Sequence, residues 1–194
     1  MNNQNMMIAL VIDTNDPDQL CRVLITLPAL PDGPELWARV VSPLAGSDRG
    51  LCLLPEVGDE VLVAFTQGEL SSAYVLGGLW GKNKPPPEGL GGDENNLKMY
   101  RTRSGHTLAF DDSDGEERIT LTDKNGNSLD IATSEDSITL TAKSKIEIVT
   151  DGDISLSGNT ITLQANTIEV KADSSLVLDG GGTADLKAGT VNIN

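Results

Sequence analysis

The sequence predicts an all-β chain in two parts: an N-terminal OB-fold barrel, then a C-terminal intertwined triple-stranded β-helix that forms as a trimer. Three observations carry this. Residues 8–80 hold five or six short β-branched runs separated by turn signals. From Ile119 onward, one apolar–polar–apolar phrase recurs ten times, its starts 10, 9, 8, 8, 7, 7, 8, 8 and 7 residues apart. No long stretch shows the 3.6-residue period of a helix. The expected domains are residues 1–81 for the OB fold, 82–118 for a linker and neck, and 119–194 for the triple-stranded β-helix.

The first strand is expected at Ile8 to Ile12, and Asp13-Thr14-Asn15-Asp16-Pro17-Asp18 is a strong turn signal. Cys21 to Leu27 reads as the second strand and Leu36 to Val41 as the third. Leu51 to Leu54, Val61 to Phe65 and Ala73 to Trp80 read as three more. So many short strands in about 80 residues indicate a small closed barrel, which hides its strand edges. The expected core is Val23, Ile25, Trp37, Val40, Leu53, Val61, Val63, Phe65, Val75 and Leu79. Cys21 and Cys52 each fall in an apolar run, so buried free thiols are expected in preference to a disulfide.

Lys82 to Asp93, with Pro85-Pro86-Pro87, cannot continue a sheet and predicts an extended linker. Lys98 to Arg103 and Thr107 to Phe110 read as two β segments around the Ser104-Gly105 turn. The repeat follows, with units such as Ile119-Thr120-Leu121, Ile146-Glu147-Ile148 and Val191-Asn192-Ile193. Each unit offers about two inward side chains, too little to order eight residues alone, so units must stack. No aromatic follows Phe110, so any core there is narrow. Three identical chains around one axis satisfy this, with Ile138, Leu140, Ile146, Ile148, Ile154, Leu156, Ile161, Leu163, Ile168 and Val170 as the expected axial core. A single-chain β-helix would make only about three coils of ~24 residues with open edges. Ten rungs at ~4.8 Å spacing give a needle roughly 45–50 Å long.

The series Arg22-Val-Leu-Ile-Thr-Leu-Pro, Trp37-Ala-Arg-Val, Ser42-Pro-Leu-Ala-Gly, Leu54-Pro-Glu-Val-Gly-Asp-Glu-Val-Leu-Val-Ala-Phe65 and Tyr74-Val-Leu-Gly-Gly-Leu-Trp80 resembles the OB domain of contractile-injection spikes. These are the phage baseplate assembly protein V and VgrG families. Arg101-Thr-Arg-Ser-Gly-His106, Phe110-Asp-Asp112, Glu117-Arg-Ile119 and Asp123-Lys-Asn-Gly-Asn127 resemble the neck into such a spike's β-helix. The resemblance spans residues 20–194 and implies a non-enzymatic central spike of a contractile injection apparatus, which punctures a target envelope. It implies a homotrimer seated on a baseplate hub at its N-terminal end, the hub being expected as a separate protein. The C-terminal Gly189-Thr-Val-Asn-Ile-Asn194 lacks the His-x-His iron site of some related spikes, so a PAAR-like tip protein is the expected C-terminal partner. Residues 82–118 are too short to hold the lysozyme domain that some phage spikes carry.

The formal net charge is −15, divided −6, −3 and −6 over residues 1–92, 93–118 and 119–194. That balance argues against nucleic acid or anionic lipid as a partner. No Sec signal or membrane-spanning run is legible, so cytoplasmic synthesis and assembly into a tail-like particle are expected. No catalytic, cofactor or metal residue is expected. His106, the only histidine, has no nucleophile in motif context and reads as structural. Asp111-Asp-Ser-Asp-Gly-Glu-Glu117 lacks the ligand register of a calcium loop and reads as a solvated turn. Gly180-Gly-Gly-Thr-Ala-Asp185 matches a calcium nonapeptide only once. The competing functions are a single-chain β-helix carbohydrate-binding module and an OB-fold nucleic-acid-binding protein.

Overall fold

The computed structural model describes residues 6–66 and 69–192. Met1–Asn5, where a leader was sought, and Ile193 of the final repeat lie outside the described residues. The chain divides into two units, Met1–Ser144 and Lys145–Asn194.

The first unit begins with a closed barrel. Its strands are β1 (Met6–Asp13), β2 (Arg22–Thr26), β3 (Glu35–Val40), β6 (Glu60–Phe65) and β7 (Ala73–Gly78), in the order β1-β2-β3-β7-β6. The short hairpin β4 (Ala45–Gly46) and β5 (Arg49–Gly50) stands apart from it. All barrel pairs are antiparallel except β3 with β7. Alternation decides the inside: Met7, Ala9 and Val11 face Val61, Val63 and Ile25 across the ladders. Val23, Leu27, Ala38, Phe65, Ala73 and Val75 complete the buried core.

Three expectations about the barrel are corrected. Leu51–Leu54 is not a strand. The Ser42 hydroxyl bonds the Leu51 carbonyl at 2.6 Å and the Leu51 amide bonds the Leu44 carbonyl, which holds the segment as a loop beside the β4–β5 hairpin. Leu53 is therefore exposed; Leu79, just past the end of β7, is exposed as well, while Trp37 and Val40 are half-buried. Leu27 and Ala38 take the expected places instead, because each follows the inward phase of its own strand. Cys21 and Cys52 are exposed, not buried. Cys21 sits in the turn before β2, in the left-handed region at φ 55.

The same unit contains a five-stranded antiparallel sheet, β8 (Leu97–Arg101), β9 (Thr107–Asp111), β10 (Arg118–Thr122), β11 (Ser128–Ala132) and β12 (Ser137–Thr141), in the order β12-β11-β10-β9-β8. It is a meander of hairpins. In the β10–β11 turn, Asp123 accepts from the Asn125 and Asn127 amides at 2.8 and 2.9 Å, and Gly126 supplies the required positive φ of 87. A 3-10 turn, Thr133–Glu135, leads into β12. No α-helix occurs among the described residues.

In the second unit, residues 145–192 carry no assigned strand, and every described residue is exposed. Local pairs still report alternation. Lys145 meets Glu147, and Lys171 meets Glu169, each at 2.8 Å. Contacts between i and i+2 place those charges on one side of an extended chain, and the intervening Ile146 and Val170 on the other.

Candidate functional site

The alternation that fills the barrel also determines what it leaves uncovered. On β1, Met6, Ile8 and Leu10 point outward, opposite the buried set. Ile8 stands beside Leu62 across the β1–β6 ladder, and Leu76 on β7 is exposed as well. This gives the outer barrel wall an apolar patch.

The five-stranded sheet carries a larger one. The registers align Lys98, Phe110, Ile119, Ile131 and Ile138 in one row. Tyr100, Leu108, Leu121, Leu129 and Leu140 form the next row on the same face. Nine of these ten side chains are apolar or aromatic. Yet Phe110 is 43% exposed, Leu121 54% and Ile138 72%. The opposite face carries Leu97, Met99, Ala109 and the buried Ala132 together with the half-buried Thr107, Thr120, Thr122, Ser128 and Asp130. A sheet normally turns its apolar face inward. Here most of that face is exposed among the described residues, although Tyr100 lines a cleft with Leu53, Leu54 and Glu56 and Ile131 is half-buried, and contiguous exposed apolar surface marks an interaction site.

Of the expected axial residues, Ile138 and Leu140 lie on this face, at the end of each row. Ile146, Ile148, Ile154, Leu156, Ile161, Leu163, Ile168 and Val170 fall in the second unit and are exposed, Leu156 at 68%. The sequence reading missed Tyr100, Leu108 and Phe110 as members of the same surface. The signal for Leu108 and Phe110 was the alternation of residues 107–111, read there only as a neck; Tyr100 had none, because Leu97 and Met99 hold the apolar phase of its strand.

The polar candidates resolve into local structure. The His106 Nδ1 accepts from the Lys124 amide at 3.4 Å, so the ring braces the neighbouring β10–β11 turn. Asp111 accepts from the Ser113 hydroxyl at 2.6 Å and amide at 3.0 Å, which holds its carboxyl below the usual range. Gly181 donates to Asp179 at 2.9 Å. Among the described residues, no cluster of three or more His, Cys, Asp or Glu side chains could hold a metal.

One polar arrangement was not anticipated. Asp16 is only 8% exposed and accepts from the Asp18, Leu20 and Arg22 amides. The Arg22 guanidinium closes on it at 2.6 Å and reaches Asp18 at 2.5 Å. That guanidinium holds the Asp16 carboxyl far below the usual carboxylate range. Arg22 also lies over Trp37 at 5.7 Å, and Arg39 over Tyr74 at 5.6 Å. Asp16 and Asp18 thus pair with Arg22 and brace the turn that leads into β2.

Comparison with known proteins agrees with the barrel. Residues 7–80 match the family described as the type VI secretion system/phage-baseplate injector OB domain. The chain is 31% identical over 90 residues to the type VI secretion system spike protein VgrG3 of Vibrio cholerae serotype O1 (strain El Tor Inaba N16961), covering 44% of this chain and 9% of that protein. It is also 31% identical over 91 residues to the actin cross-linking toxin VgrG1 of Vibrio cholerae serotype O1 (strain Classical Ogawa 395), covering 44% of this chain and 8% of that protein. The chain thus spans less than a tenth of the length of the curated relatives it matches.

Proposed function

We propose, from the match of residues 7–80 to the type VI secretion system/phage-baseplate injector OB domain family, that the chain is a structural, non-enzymatic spike of a contractile injection apparatus. The observation that carries the reading is the uncovered apolar face of β8–β12. A chain with an injector barrel and an unpartnered aliphatic sheet is best completed by further copies of itself. Three copies would bury the rows from Tyr100 to Leu140 against one another. The same arrangement would continue through residues 145–192, where the Lys145–Glu147 and Lys171–Glu169 pairs set charge on the side away from Ile146 and Val170. The result is a triple-stranded β-helical needle, residues 119–194, on a neck, residues 82–118, and an OB base, residues 1–81.

In this reading the base docks on a baseplate hub and the needle transmits contractile force to the target envelope. Function resides in stiffness, because unwinding the needle requires many strand pairs to break together. A PAAR-type protein at the C-terminal end is part of the proposal and rests on the resemblance alone. Assembly into a phage tail or tail-like particle follows from the same family. No helix among the described residues is long and apolar enough to cross a membrane.

The test uses two substitutions on one strand. Leu121→Asp places a carboxylate on the apolar face and Thr120→Asp places one on the opposite face. Burying three like charges in one layer is prohibitive. Leu121→Asp should abolish the trimer in solution while Thr120→Asp preserves it. Equal effects of the two, or a trimer that survives Leu121→Asp, would overturn the proposed interface.

A further inference from the structure

Cys21 and Cys52 are 31 residues apart in sequence, yet their thiols meet. The Cys52 thiol donates to Cys21 Sγ at 3.9 Å, and both residues are exposed. The two arrive by different routes. Cys21 is the last residue of the turn built around Asp16, whose carboxylate bonds the amides on either side of it, Leu20 and Arg22. That network holds Cys21 in the left-handed region, an uncommon conformation for a residue with a side chain. Cys52 lies on the loop Leu51–Leu54, outside any β ladder. Both line one surface cleft, together with Arg39, Val41, Leu44 and Leu54.

We propose that Cys21 and Cys52 form an intrachain disulfide site, closed by exchange with a low-molecular-weight disulfide such as oxidised glutathione. A bonded pair requires sulfurs about 2.05 Å apart, so the thiols must approach by roughly 2 Å. The loop carrying Cys52 can supply that approach, because it has no strand partner to break. The Cys21 side is held rigidly and acts as the anchor.

The chemistry balances in two exchanges. One cysteine thiolate attacks the reagent disulfide, forming a mixed disulfide and expelling one glutathione thiolate. The second cysteine thiolate attacks the protein sulfur of that mixed disulfide and expels the other glutathione. In total the protein loses two protons and two electrons, and the reagent gains both as two thiols. The hydrogen bond to Cys21 pushes the Cys52 thiol up, so less of it is the reactive thiolate at neutral pH and exchange is favoured under mildly alkaline conditions. The product fastens the Leu51–Leu54 loop to the turn before β2. The chain is thereby left open in a reducing compartment and clamped in an oxidising one.

The experiment equilibrates the reduced full-length chain with oxidised glutathione at pH 8 and counts thiols after denaturation. The expected result is loss of both thiols, an intact mass lower by two hydrogens, a Cys21–Cys52 linked peptide, and single-chain migration in non-reducing denaturing gels. Cys21→Ser and Cys52→Ser should each instead retain one glutathione adduct, because the resolving thiol is gone. Two persistent thiols, two glutathione adducts on the wild-type chain, or a cross-link between chains would each overturn the site.

Discussion

Asp16 accepts from three backbone amides and a guanidinium, so its folded-state carboxyl titrates well below the ~3.9 of an unfolded chain. A depressed carboxylate contributes its stability above the unfolded value and loses it progressively as pH falls below that value. Urea unfolding at pH 7, 4 and 3 should therefore show the wild-type barrel weakening below about pH 4. Asp16→Asn should weaken less steeply over the same interval, and parallel acid profiles would contradict the assignment. The exposed pair Arg103–Glu56, at 2.9 Å, is a contrasting case. Arg103→Ala should change stability by less than about 1 kcal/mol, because solvent screens both partners. This scale was the least legible in the sequence. The run of Asp, Asn and Pro announced a turn, but not that Asp16 would be its buried centre. Leu51–Leu54 has strand composition, yet the neighbouring hairpin and the Ser42 hydroxyl hold it as a loop. The misplacement of Cys52 followed from that error, and Cys21 was misjudged because its left-handed backbone turns it out of the strand phase.

At the scale of elements, alternation was a reliable guide. The strands β1, β2, β3, β6 and β7 fall within a few residues of their expected positions, because each buries one face and exposes the other. Val63 is fully buried between β1 and β7, opposite Met7 and Val75. Val63→Ala should cost about 1–3 kcal/mol in denaturant unfolding of the barrel. A loss below a few tenths would mean that this layer is not tightly packed. The single sheet from β8 to β12 was less apparent. Residues 97–111 and the first three repeat units differ in composition, so the change of wording concealed a shared register. Only the pairing reveals two continuous apolar rows. In the second unit the same phrase carries the argument further. Leu156→Asp should prevent trimer assembly if Leu156 faces an axis, while Ser155→Asp, one residue away and in the opposite phase, should not. A heat-resistant Leu156→Asp trimer would reverse the inward assignment.

For the whole molecule, the barrel, the exposed sheet and the repeat form one argument. A closed barrel satisfies its own strand edges and can fold by itself. Among the described residues, most aliphatic side chains on one face of the sheet, and all of those in residues 145–192, are exposed within a single chain. A formal net charge of −15 over 194 residues favours solubility, and it would not oppose close packing at the proposed axis, whose expected residues are all aliphatic. The match of residues 7–80 to the injector OB domain family supplies the context in which the proposed self-association would build a needle on a base. What the sequence could not reveal was the extent of the uncovered face, because that depends on register between strands rather than on any one of them. The most direct test of the account is the mass of the full-length chain in solution at micromolar concentration, by sedimentation equilibrium or light scattering. Three times the mass of one chain is the predicted result, and a clean monomer would contradict it.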